Sequence, residues 1–163
     1  MNSKLILGID PGTMVTGYGV IECMPASQYL LRECGVFRTS SQQLLGVRVR
    51  EIYDEVRSTI EQFQPDVLAV EDIFVGKNAR SALMLGHVRG VILLAAEVCD
   101  VPVAQYSPKE IKKAVVGNGN ATKDQVAFMV QKRLNLKEAP SPSDASDAVA
   151  VALSHTILSN FND

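Results

Sequence analysis

Apolar residues follow two different spacings along this chain, and the change of spacing predicts the order of its strands and helices. Short aliphatic runs at residues 5–9 and 67–70 are typical of buried β-strands. Between them, apolar side chains recur every third or fourth residue from Leu44 to Phe63, which predicts an amphipathic helix that ends before Pro65. Because a helix that connects two strands usually makes them parallel neighbours, we expect the two runs to lie side by side.

Three further apolar runs predict the rest of the sheet. Residues 16–23 and 29–38 are separated only by a turn at residues 24–27, a spacing that favours an antiparallel meander. Residues 101–106 predict a fifth strand. The expected fold class is therefore α/β, with a five-stranded mixed sheet and helices on both faces.

Three more helices are expected in the second half of the chain. One runs from residue 79 to about residue 99, with Asn78 as its N-cap. Its predicted apolar stripe includes Leu83, Leu85, Val88, Val91, Ile92 and Ala95. Thr122 is a candidate N-cap for a helix that ends at Arg133, and Ser143 is a natural N-cap for the last helix.

Composition adds an expected size and compartment. A chain of 163 residues with 47% apolar and 21% charged residues is typical of one globular domain over residues 1–163, with the last few residues as a candidate disordered tail. No uninterrupted apolar segment approaches membrane-spanning length, and no signal-peptide pattern is present. Cys23, Cys34 and Cys99 lack metal-ligand spacing and are interpreted as reduced thiols. We expect a cytoplasmic protein without a membrane partner.

Two acidic residues follow the strands that we expect to be parallel neighbours. Asp10 ends the first strand and Glu71 ends the second, so both carboxylates are expected at the same edge of the sheet. Alternation places Gly8 on the face of Asp10 and Ala69 on the face of Glu71, which leaves room for a close neighbour there. Asp72 points to the opposite face and is interpreted as solvated or structural.

Two more acids lie three residues apart in the last predicted helix. Asp144 and Asp147 therefore share one helix face. They are surrounded by small residues, Ala145, Ala148, Ala150 and Ala152. We infer that this helix docks closely beside Asp10 and Glu71. For Asp144 alone, favourable interaction with the helix dipole is an equally good explanation.

Four carboxylates at one rim require cations, since like charges within a few ångströms cannot all stay ionised. Oxygen ligands without His or Cys favour Mg²⁺, with Mn²⁺ as a substitute. Such a site suits metal-assisted phosphoryl transfer, which needs no nucleophilic side chain. His87 and His155 lie on apolar helical segments and are interpreted as packed or surface histidines. No nucleophile elbow and no P-loop pattern is present.

These residues closely resemble the RuvC family of Holliday junction resolvases. The resemblance extends from residue 4 to about residue 157, and its principal motifs are Gly8-Ile9-Asp10-Pro11-Gly12, Thr16-Gly17-Tyr18-Gly19, Glu71-Asp72-Ile73-Phe74 with Lys77-Asn78, and Ser143-Asp144-Ala145-Ser146-Asp147-Ala148. It implies a ribonuclease H-like fold and a Mg²⁺-dependent endonuclease that acts on four-way DNA junctions in recombination and repair. The four acids fall on the family's catalytic positions.

The resemblance also assigns candidate DNA-binding residues. Phe74 falls at the family's loop aromatic, which resembles a wedge or stacking group at the opened junction; the alternative is a loop residue folded back on the core. Lys112 and Lys123 fall on basic positions near the DNA in the family. Lys77 is a candidate by charge and location alone. Because the net charge is −2, DNA binding requires a local basic surface.

The resemblance further implies a homodimer and a branch-migration motor as partners. A twofold dimer presents two identical sites to strands related by a twofold axis. The helix from residue 79 is the candidate interface, through Met84, Leu85, Val88 and Val91. Alternative functions are a junction-binding protein without catalysis, a relative that acts on RNA ends, or an actin-like or sugar-kinase-like phosphate-binding domain. The last needs two such domains, which 163 residues cannot hold.

Overall fold

One five-stranded sheet organises the computed structural model, which describes residues 3–73 and 78–159. The strands are β1 (Lys4–Asp10), β2 (Val15–Met24), β3 (Gln28–Arg38), β4 (Val67–Glu71) and β5 (Val103–Tyr106). Their order is β3-β2-β1-β4-β5. The first three strands form an antiparallel meander, whereas β4 is parallel to both β1 and β5. The predicted mixed sheet is confirmed.

Helices cover both faces of this sheet, as predicted. They are α1 (Leu45–Phe63), α2 (Ala79–Val98), α3 (Pro108–Val116), α4 (Lys123–Arg133) and α5 (Ser143–Leu158). Large aliphatic side chains of β1, β2 and β4 pack against α1 and α2 on one face. On the other face α5 lies against the sheet, and α3 and α4 pack against α5.

The helix α5 lies unusually close to the strands because glycines face it. A Cβ atom on Gly8 would overlap the carbonyl oxygen of Ala148 and would lie 2.7 Å from the backbone nitrogen of Ala152. A Cβ on Gly17 would overlap the backbone of Asp144. Since only glycine permits this approach, β1 and β2 fix the position of the helix that carries two of the predicted site acids.

Two features of the helices differ from the sequence prediction. The helix α3 was not predicted, although Ser107 and Glu110 form a capping box at its start. Ser143 is not the N-cap of α5; that position belongs to Pro142, and Ser143 is already the first helical residue. Asn78 caps α2 as predicted, by accepting a hydrogen bond from the Ser81 backbone nitrogen at 3.2 Å.

The helix α2 is more exposed than predicted. Arg89 interrupts its apolar sequence, but by length and composition alone the helix could cross a membrane, and 22% of its most apolar 18-residue window is buried. Val88, Ile92, Ala95 and Ala96 pack into the core of the domain, whereas Leu83, which the predicted stripe placed there, is 65% exposed. The helix therefore has one face in the core and a second apolar face outside it.

Candidate active site

Three of the predicted acids line one cavity at the carboxyl ends of β1 and β4. Asp10 and Glu71 end these two strands, which are aligned with Ile9 opposite Val70. Asp147 reaches the same cavity from α5. The cavity has a volume of about 210 Å³, and its lining consists of Asp10, Glu71, Pro108, Ile111, Lys112, Lys123, Val126, Asp147, Ala150 and Val151.

Burial and mutual repulsion hold a proton between the two strand-end acids. Burial, followed by the hydrogen bond to Glu71 and the charges of Glu71, Asp147 and Asp144, raises the pKa of Asp10 to about 9. Burial also raises the pKa of Glu71, although the hydrogen bond from Asp10 and the charges of Lys123 and Lys112 oppose that rise. The pair therefore carries less negative charge at neutral pH than two free carboxylates would.

Asp147 has a cationic partner on α4. The Lys123 ammonium donates a hydrogen bond to Asp147 Oδ2 at 2.9 Å, and this contact raises the pKa of Lys123. The lysine side chain is 77% exposed, whereas that of Asp147 is 22% exposed. Because an exposed pair of this kind contributes little to stability, Lys123 can leave Asp147 at small cost when another cation or a phosphate approaches.

The structure places the other predicted residues less centrally. Asp144 lies one turn before Asp147 and is not among the residues that line the cavity, although its charge contributes to the raised pKa of Asp10. Asp72 lies on the opposite face of the sheet, 3.2 Å from Arg89. Phe74 and Lys77 lie outside the described residues.

Lys112 and Lys123 line the same cavity as the acids and bring positive charge to it. Lys112 comes from α3, whose side chains Ile111 and Pro108 also form part of the wall. Sequence reasoning missed this wall because it missed α3, although the capping box before it was a usable signal. The two histidines lie outside the cavity: His87 is exposed, and His155 is buried with its Nδ1 2.7 Å from the Tyr106 hydroxyl.

The acid cluster has the chemistry of a divalent-cation site, but its side chains are not arranged as a complete set of metal ligands. Within residues 3–73 and 78–159, no three His, Cys, Asp or Glu side chains lie close enough together to coordinate a metal ion as they stand. The donors at the cavity are nonetheless all oxygens, which suits a hard cation. The raised pKa values of Asp10 and Glu71 show carboxylates whose charge is poorly compensated. Because a cation would supply that compensation, the residues fit such an ion.

Comparison with known proteins agrees with this geometry. The family profile "Crossover junction endodeoxyribonuclease RuvC" matches residues 6–155. A protein of that name from Shewanella sp. (strain W3-18-1) is 49% identical over 151 residues, which cover 93% of this chain and 86% of the relative. A solved RuvC structure from Thermus thermophilus is 38% identical with a TM-score of 0.88, and 95% of each chain is covered. A second T. thermophilus RuvC structure, in complex with Holliday junction substrate, is 35% identical with the same TM-score of 0.88, covering 95% of this chain and 94% of the other.

A sheet of this order, with acids at the ends of two parallel strands and a third acid on the facing helix, defines a ribonuclease H-like nuclease. Such enzymes depend on metal ions rather than on a side-chain nucleophile. The chain belongs to the RuvC family of crossover junction endodeoxyribonucleases.

Proposed function

We propose that this protein resolves Holliday junctions in homologous recombination and DNA repair by making paired, symmetric nicks. The observation that carries the proposal is the cavity shared by Asp10, Glu71 and Asp147, with Lys112 and Lys123 beside them. It is supported by the similarity to the T. thermophilus RuvC that was solved with Holliday junction substrate. The proposal includes a single nuclease domain over residues 1–163, a cytoplasmic location, and cooperation with a branch-migration motor.

The proposed cofactor is Mg²⁺, with Mn²⁺ as a substitute. Asp10, Glu71 and Asp147 would hold it, and Asp144, one helical turn away, would complete the acidic set. When bound, such an ion would activate a water at neutral pH and stabilise charge on the leaving oxygen. The chain's own contribution is to bury Asp10 and Glu71 beside one another, where a divalent cation would take the place of their shared proton.

Positive charge near the acids provides the binding site for the DNA backbone. Lys112 is half-buried and Lys123 is exposed, and both line the cavity. Lys123 pairs with Asp147 in the free protein, so a DNA phosphate and a metal ion can together replace that contact. Further exposed cations on neighbouring elements are Arg80, Lys109 and Lys113. Phe74 and Lys77 remain proposed DNA contacts of the loop before α2.

The proposed homodimer forms through the exposed face of α2. Val88, one of the residues predicted for this interface, is only 3% exposed and belongs to the core of its own chain. The outward face instead presents Leu83 and Leu94, which are 65% and 53% exposed, with Gly86 and Gly90 between them. Apart from the nearby backbone of α2 itself, no atom of residues 3–73 and 78–159 lies within 4 Å of a Cβ built on either glycine, so another helix can approach closely there. A twofold pair of α2 helices would cover this surface and give the two active sites the symmetry of the junction.

The central experiment incubates the protein with a synthetic four-way junction and a matched linear duplex. Symmetric, ligatable nicks in the junction with Mg²⁺, and none with chelator, are expected. Junction binding without nicking under every metal condition would instead identify a non-catalytic binding protein. Equal cleavage of the linear duplex would contradict a preference for junctions.

A further inference from the structure

Arg89 of α2 connects the ends of two strands from the side of the sheet opposite the acids. Its guanidinium lies 3.2 Å from Asp72 Oδ1 and also donates a hydrogen bond to Gln105 Oε1. The Arg89 side chain is 16% exposed, although α2 as a whole is largely uncovered. One half-buried side chain therefore joins β5 to the residue that follows β4.

Both partners of Arg89 are adjacent in sequence to the strand pair that contains Glu71 of the cavity. Asp72 follows Glu71, and Gln105 precedes Tyr106, which is the cross-strand partner of Glu71. The Asp72 backbone nitrogen also donates to the Tyr106 carbonyl at 2.8 Å. Alternate residues of a strand point to opposite faces of the sheet. Arg89 therefore contacts the ends of β4 and β5 on one face, whereas Glu71 and Tyr106 point to the other face.

Stability alone is a poor explanation for this arrangement. Asp72 is 54% exposed, and ion pairs with exposed acids contribute little. Among the residues that the structure describes, no hydrogen-bond partner reaches the buried Nε of Arg89, and an unsatisfied buried donor is unfavourable. A buried arginine with an unsatisfied donor is more simply explained by a role in fixing the ends of β4 and β5.

We propose that Arg89 is a positioning residue for the cleavage reaction: it fixes the end of β4 so that the Glu71 carboxylate faces Asp10 and Asp147 in the cavity. Arg89 itself contacts neither substrate nor metal, because the sheet lies between it and the cavity. Without the contacts of Arg89, only backbone pairing with β5 would hold the end of β4, and the Glu71 side chain could shift. That shift would weaken metal binding without removing any ligand. This inference rests on the proposed nuclease function.

The test compares Arg89→Gln and Arg89→Lys with Arg57→Gln, which removes an exposed arginine 2.8 Å from Glu61 on α1. Three quantities are measured: junction affinity in chelator, Mg²⁺ affinity by calorimetry, and single-turnover cleavage as a function of Mg²⁺ concentration. For Arg89→Gln we expect Mg²⁺ affinity and cleavage to fall by about 10- to 100-fold, as for other residues that support metal ligands. Junction affinity in chelator should stay within about twofold, because the DNA-binding lysines are unaffected.

Arg89→Lys should recover part of the Mg²⁺ affinity, and Arg57→Gln should match the wild type. If Arg89→Gln does not fold, Asp72→Asn removes the same ion pair at an exposed position and should weaken Mg²⁺ binding in the same direction. Unchanged Mg²⁺ affinity in the folded variant, or an equal loss of junction binding in chelator, would overturn the positioning role. Wild-type protein that fails to nick junctions would instead refute the proposed function itself.

Discussion

Near the acids, the two faces of the sheet carry residues of different size. On the side of α5, Gly8 and Gly17 face the helix backbone directly. On the side of α1 and α2, the neighbouring positions are filled by large aliphatic side chains, among them Leu7, Ile9 and Val20, which are fully buried. At Gly8 and Gly17 one face therefore brings a helix as close as a backbone permits, whereas the neighbouring positions on the other face carry large side chains.

The glycines position the helix that carries Asp147, whereas the large aliphatic side chains mainly stabilise the fold. Side chains of two strands and one helix can share a small cavity only if the helix lies close to the strand ends, which the glycines allow. Away from these glycines, large apolar side chains on both faces supply burial, at about 0.8 kcal/mol for each buried methylene group. Substitutions on the two faces should therefore have different effects on stability and on cleavage.

The largest effect is expected at the cavity itself, for Asp10→Asn. Cleavage of a four-way junction should fall by about a thousandfold or more, because the variant loses a proposed metal ligand and the charge stabilisation that depends on it. Junction binding in chelator should be retained, and a gel-shift titration beside a single-turnover cleavage assay measures both. Asp54→Asn, an exposed acid on α1, serves as the control and should leave both unchanged. Cleavage by Asp10→Asn at the wild-type rate would contradict the catalytic assignment.

The next effect contrasts two neighbours on β1, Gly8→Ala and Ile9→Val. A methyl group at Gly8 has no space against the backbone of α5, so we expect a loss of about 3 kcal/mol in the free energy of unfolding, together with reduced cleavage as the helix is displaced. Ile9→Val removes one methyl group from the aliphatic face and should cost about 0.5–1.5 kcal/mol with cleavage unchanged. Urea unfolding and cleavage of the folded fraction measure the two outcomes. A Gly8→Ala variant with wild-type stability would show that the close approach is not required.

Most of the fold could be predicted from the sequence because its elements have strong periodic patterns. The strands ending at Asp10 and Glu71 are short aliphatic runs, and the amphipathic helix between them made a parallel pair the natural expectation. The helix α3 escaped prediction because it has only nine residues and its lysines obscure an apolar stripe of two buried positions, Ile111 and Val115.

The candidate site could be predicted only in part. The proximity of Asp10, Glu71 and Asp147 could be predicted because it follows from where two strands end and from which face of a helix carries Asp147. The pairing of Lys123 with Asp147 depends on how α4 packs against α5 and on side-chain conformation, which spacing along the chain does not encode. The position of Asp144 outside the cavity lining depends on the same packing.

The face of the sheet that packs against α5 should make stability depend on pH, because it holds the poorly compensated pair Asp10 and Glu71. The pKa of Asp10 is about 9 in the folded protein against an ordinary value of 3.8, so between these values the folded chain keeps a proton that the unfolded chain has released. The free energy of unfolding of metal-free protein should therefore fall as pH rises towards 9. Thermal unfolding in chelator from pH 7 to 8.5 tests this, above the range in which His155, whose pKa is lowered by burial, titrates. Asp10→Asn should flatten the slope, and added Mg²⁺ should stabilise the wild type more at the higher pH.

The smallest effect on stability is expected for Lys123→Gln, which removes the cation beside Asp147. The free energy of unfolding should change by less than about 1 kcal/mol, because the lysine is 77% exposed and such pairs are weak. If Lys123 contacts a DNA phosphate, junction binding should lose about one unit from the slope of log affinity against log salt concentration. Lys4→Gln, which removes an exposed lysine paired with Asp66 at 3.4 Å, is a matched control that should keep the wild-type salt slope. Equal salt slopes for Lys123→Gln and the wild type would mean that Lys123 pairs with Asp147 but does not contact DNA. Other cations near the cavity would then bind the DNA backbone.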